Sequence, residues 1–141
     1  MSSYLTFYVK EKDSEGNWRK PIPIVSFSRG SEIYGAFKEN GAPYIGDGEE
    51  FVYGEVTKDM VREAKSSIEE TISDIKKNID IIKGNLPETA SERLELLSSI
   101  REMDDTMDEL VKTKHYIDFI NTICTDLEIY ENEAVLMCNI D

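Results

Sequence analysis

A chain of 141 residues has room for one domain with its own core and little to spare. With 29 acidic against 16 basic residues and a net charge of −13, it is poorly suited to bind nucleic-acid phosphates or anionic membrane directly, since both need a clustered basic face. Its two cysteines, Cys124 and Cys138, are too few and too irregular for a disulfide framework or a zinc site, and read as buried thiols.

The composition changes along the chain. Ten of the 13 aromatic residues lie at or before Tyr53, and residues 56–141 hold 20 acidic and 10 basic side chains against 9 and 6 in residues 1–55. An aromatic, turn-rich base is therefore expected to precede an acidic helical portion. The start, Met1-Ser2-Ser3-Tyr4, lacks the basic run and apolar stretch of a signal peptide, and no segment is apolar for long enough to span a bilayer. The expected location is cytoplasmic, with no membrane partner.

In chain order, Tyr4 to Lys10 alternates Leu5, Phe7 and Val9 on one face of a strand. Asp13-Ser14-Glu15-Gly16-Asn17 is turn chemistry, and residues 18–28 return as a second strand with Ile22, Ile24 and Ser26 expected on one face. Pro21 and Pro23 place part of that strand at a sheet edge. Ser31 is placed to cap a short helix over 32–40 that groups Ile33, Tyr34 and Phe37 and stops at Gly41. A loop over 43–48 and a third short strand over 50–56 follow, and Thr57 with Asp59 marks the start of a long helix.

That helix, 57–83, and a second, from 88 to about 130, are joined by Gly84-Asn85-Leu86-Pro87, a helix stop followed by a helix start, which predicts an antiparallel hairpin. In the first helix Val61, Ala64, Ile68, Ile72, Ile75 and Ile79 recur in an eleven-residue pattern, which favours a nearly straight stripe. In the second, Leu96, Ile100, Met103, Met107 and Leu110 follow heptad steps until Lys114 breaks the seam. Folding the chain back about Asn85 and Leu86 sets Lys114 opposite Thr57, with an arm of about 27 residues, roughly 40 Å. Beyond Lys114 a wider stripe of Tyr116, Ile120, Ile123, Leu127 and Tyr130 is expected to pack on the base, flanked by Ile117, Phe119 and Cys124. Residues 131–141 return to the base, with a strand favoured over a helical extension. The fold class is α+β: a small antiparallel sheet with a short helix (1–56), a long coiled-coil-like helical hairpin (57–130) and a C-terminal segment (131–141), in one structural unit.

Two helices bury one stripe each, and such a hairpin is marginal without further packing. Near its turn the apolar surface widens to Ile79, Ile81, Ile82, Leu86, Leu94, Leu96 and Leu97, more than one partner helix can cover. The expectation is a homodimer or tetramer in which hairpins associate as a four-helix bundle.

Residues that could carry chemistry are sparse. Asp104, Asp105, Asp108 and Glu109, with Glu102 before them, put carboxylates three and four apart on a helix, where a pair could hold Mg²⁺ as in a nucleotide hydrolase. That site needs a facing carboxylate, with Glu63, Glu69, Glu70 and Asp74 the nearest choices, and a solvated face is the plainer reading. Asp13, Glu15 and Asn17 mimic calcium-loop oxygens, but the glycine falls at 16 and no bidentate glutamate follows, so a hairpin turn is expected. Gly46-Asp47-Gly48 is too short to cradle a phosphate. His115, the single histidine, has no nucleophile or orienting acid around it in sequence, and Ser26, Ser28, Ser31, Tyr34 and Tyr44 show no activating partner. Trp18 beside Arg19 and Lys20 reads as an aromatic covering the sheet.

The sequence thus points to a non-enzymatic, oligomerising interaction protein with no cofactor, of the accessory or assembly kind found among small acidic bacterial and phage proteins, with an unidentified protein partner and no nucleic acid. Two other classes stay open: an acidic mimic of a phosphate backbone, using residues 102–109 and the basic-free stretch 118–141, and a Mg²⁺-dependent nucleotide hydrolase.

Overall fold

The computed structural model describes residues 3–43 and 53–141. Among them run β1 (Tyr4–Glu11), β2 (Ile22–Ser28), α1 (Glu32–Glu39), β3 (Gly54–Glu55), α2 (Lys58–Gly84), α3 (Ala90–Leu127), a 3₁₀ turn (Glu128–Tyr130) and β4 (Ala134–Ile140). The strands form one antiparallel sheet in the order β2-β1-β4-β3, with the helices against one face. This is the α+β architecture expected from the sequence. The expected loop over 43–48 and the N-terminal part of the third strand fall mainly outside the described residues.

β1 has the expected alternation: Leu5 and Phe7 are fully buried, and the Phe7 ring meets Phe27 and Phe37 edge-on, with centroids 6.2 and 5.1 Å away. β2 does not follow the expected pattern. Phe7 pairs with Val25, but Tyr8 pairs with Pro23, so Ile24 is an extra, bulged residue. Strand partners share a face, so Val25 and Phe27, opposite Phe7 and Leu5, point inward and Ser26, opposite Thr6, points outward; Ile24 is exposed at the bulge, and Ile22, returned by the bulge to the side of its partner Val9, is exposed at the strand's end. Ile22, Ile24 and Ser26, expected on one face, are therefore split, because one inserted residue between Val25 and Pro23 inverts a period of two. β2 is an edge strand, which is where Pro21 and Pro23 can lack a ladder donor.

The C-terminal segment is a strand, and it is central. β4 pairs with β1 over its whole length, from Leu5 with Ile140 to Glu11 with Ala134. Leu136, Cys138 and Ile140 therefore share the inner face with Leu5 and Phe7, and all are buried. On the outer face Tyr8 and Tyr53 meet at 4.8 Å, Thr6 bonds Ser26, and the Nδ2 of buried Asn139 has no hydrogen-bond partner among the described residues.

α1 buries Ile33, Tyr34, Ala36 and Phe37 against β1 and α2. Ser31 is its N-cap residue, but its Oγ donates to the Ser28 carbonyl and not to the helix. Gly41, at φ +103°, turns the chain away after the helix, with the Ala42 amide donating to the Phe37 carbonyl. Thr57 caps α2 as expected, its side chain accepting from the Met60 amide at 3.1 Å.

Candidate interaction surface on the helical arm

The two long helices run antiparallel, and three cross-helix ion pairs fix their register: Lys58 with Glu128 at 2.7 Å, Lys65 with Asp118 at 2.7 Å and Lys114 with Glu69 at 3.5 Å. The Asp118 hydrogen bond raises the Lys65 pKa, as expected for an ammonium gaining a carboxylate. These pairs are largely exposed, and each is worth at most about 1 kcal/mol, so their main effect is on register.

The register differs from the expected one. Lys114 faces Glu69, not Thr57, and the residue beside the start of α2 is Glu128. The connection from Asn85 to Thr89 continues past the end of α2 before α3 begins, with Leu86 and Pro87 half-buried along the way. Arg93 Nη1 donates to the Pro87 carbonyl and ties the connection to α3. Extending the Lys65–Asp118 and Glu69–Lys114 register sets Gly84 opposite about residue 99, so α3, which begins at Ala90, overshoots α2 by roughly nine residues, or about 13 Å at 1.5 Å per residue.

The stripe along α2 is as expected, with Val61, Ala64, Ile68, Ile72 and Ile79 buried. On α3 the seam does not end at Lys114. Thr113 carries it through, buried with its Oγ1 satisfied by the Glu109 carbonyl at 2.9 Å, and Ile117 and Ile120 follow. Tyr116 and Tyr130, expected in the wider stripe, and Phe119, expected to flank it, are exposed. Tyr116 still reaches the base, its ring 5.3 Å from Phe27.

The overshoot decides which residues near the turn remain uncovered. Of the seven expected there, Ile79 is buried in the seam, and Ile82, Leu86 and Leu96 are half-buried. Ile81, Leu94 and Leu97 are 61%, 67% and 44% exposed. Leu94 and Leu97 lie on the part of α3 that has no α2 beside it. The sequence shows how much apolar surface gathers there, but not which residues the offset leaves bare.

Charge divides the arm in the same way. All three cross-helix ion pairs lie between Lys58 and Glu69 on α2 and between Lys114 and Glu128 on the return. Among the described residues, Lys76, Lys77, Lys83, Arg101, Asp104, Asp105 and Asp108 of the distal half make no ion pair. The near half of the hairpin is tied together by ion pairs, although Tyr116 and Phe119 are exposed there, while the far half exposes apolar and charged groups with no cross-helix pair.

The other groups considered for chemistry are placed as follows. Among the described residues no three His, Cys, Asp or Glu side chains gather in a metal-holding arrangement, and Asp104, Asp105, Asp108 and Glu109 are exposed. Asp13 accepts from the amides of Glu15 and Asn17, each at 2.9 Å, so its carboxylate closes the β1–β2 turn, with Gly16 at φ +84°. His115 is exposed. Trp18 lies beneath the ammonium groups of Lys10 and Lys12, at 5.0 and 5.1 Å. Tyr44 and Gly46-Asp47-Gly48 lie outside the described residues. A cleft of about 510 Å³ between the start of α2, the end of α3 and β4 is lined by Thr57, Lys58, Cys124, Glu128 and Leu136 among others. Burial raises the Cys124 thiol, and burial with Cys124 nearby pushes Cys138 up to about 12, so neither is a ready nucleophile at neutral pH. No helix of the described residues is long and apolar enough to cross a membrane.

Compared with known proteins, the chain matches no family model, and neither a curated protein nor a solved structure matches it significantly.

Proposed function

We propose that this protein is a non-enzymatic interaction module that self-associates through the distal half of its helical arm, as an accessory or assembly factor would. One observation supports this reading above others: Leu94 and Leu97 stand exposed where α3 overshoots α2, in the half of the hairpin that no cross-helix ion pair ties together. Apolar side chains on a long acidic helix are retained in water at a cost in solubility, and a second helical hairpin is the surface that matches them in shape and period.

The absolute mass in solution, by light scattering over a concentration series, tests it. The wild-type chain is expected at twice its 16.1 kDa or a higher multiple. Leu94→Glu with Leu97→Glu should give a folded monomer, since both side chains are exposed and contribute little to the chain's own core. A wild-type chain that remains monomeric throughout the series would refute self-association.

A further inference from the structure

On α3 the residues Leu94, Leu97, Arg101, Asp104, Asp108 and Val111 are spaced three, four, three, four and three apart. They form a single stripe, because steps of three and four return to one side of a helix. It lies beside the seam of Ile100, Met103, Met107 and Leu110, of which the two methionines are half-buried, one position further along at each step, and every residue in it is exposed. Arg101, Asp104 and Asp108 have no ion-pair partner among the described residues.

We infer that this stripe is a self-complementary dimer face, on which α3 of a second copy packs antiparallel with Arg101 of each chain against Asp104 of the other. The inference rests on the self-association proposed above and specifies its face, orientation and register. The argument is charge complementarity under two-fold symmetry: in such an interface, if residue i meets residue j, then j meets i. With Arg101 set against Asp104 of the second copy, the same operation supplies a second, identical pair. It also brings Leu94 against Val111 at each end, apolar against apolar. Shifting the register by a heptad in one direction puts Asp104 against Asp108, like charge against like, and in the other sets both leucines against charges, Leu94 with Asp104 and Leu97 with Arg101, and loses the Arg101–Asp104 pairs. The chosen register leaves two symmetry-related unlike levels, each Leu97 with Asp108 of the other copy.

Charge exchange tests this on the full chain by light scattering and sedimentation. Arg101→Glu alone makes both central positions acidic, and Asp104→Arg alone makes both basic. Each variant should dimerise at least roughly tenfold more weakly than wild type, as two favourable contacts become two repulsive ones. Mixing the two variants should recover a heterodimer, and the double variant R101E/D104R should recover the homodimer. Asp108→Leu, which removes both unlike levels, should tighten the dimer. Circular dichroism should show unchanged helicity throughout, since the altered side chains are exposed. If wild type dimerises and the double variant does not recover, the register is wrong while self-association stands. A wild-type chain that is monomeric at every concentration overturns both. Dimerisation indifferent to all four variants places the interface elsewhere.

Discussion

Cys138 shows what burial does to a single group. Its side chain is fully enclosed on the inner face of the central strand, where a thiolate would lose its hydration, and its pKa rises from an ordinary 9.0 to about 12. Below pH 9 the thiol is neutral in folded and unfolded chains alike, so it places no pH dependence on stability. Between about pH 9 and 12 the unfolded chain loses this proton while the folded one retains it, so stability must fall as pH rises through that window. Urea unfolding at pH 7.5, 9.5 and 10.5 should show a steeper loss for wild type than for Cys138→Ala, whose other titrating groups are the same. Equal slopes would mean that the thiol is not desolvated.

At the level of elements, helix ends separate capping by residue type from capping by geometry. Thr57 and Thr89 both precede long helices, yet only Thr57 accepts a bond from the helix it starts, from Met60 at 3.1 Å. Thr57→Ala should therefore cost about 1 kcal/mol and Thr89→Ala only a few tenths. Thermal denaturation of the two variants would decide it, and equal losses would count against the cap geometry. The contrast follows from position: Thr57 leads directly out of β3 into the core, whereas Thr89 ends a connection that is climbing past its neighbour helix.

For the molecule as a whole, one core joins sheet and arm. Leu5 and Phe7 of β1, Phe37 of α1, Val61 and Ala64 of α2, Ile117 and Ile120 of α3, and Leu136 of β4 belong to the same buried cluster. Leu136→Ala should cost about 2–5 kcal/mol, and sheet and helix signals should be lost in a single transition. Near- and far-ultraviolet circular dichroism followed on the same sample would show two separate midpoints if the arm folded independently of the base. A shared core also explains how the arm is held in place: its near half is built into the base.

Much of this architecture follows from local rules. The alternation of Leu5, Phe7 and Val9, the cap at Thr57, the break around Gly84 to Pro87 and the buried period of α2 each depend on residues close in sequence, so they can be read from it. Three features could not be. The bulge at Ile24 exchanges the faces of β2, the central place of β4 depends on β1 more than a hundred residues away, and the offset of α3 depends on how the connection packs. The proposed surface divides along the same line. An apolar excess near the turn is a property of composition, but which leucines stand bare, and that they share a stripe with Arg101 and Asp104 left unpaired, depends on where one helix lies against another. That placement is set by long-range packing, which no window of sequence contains.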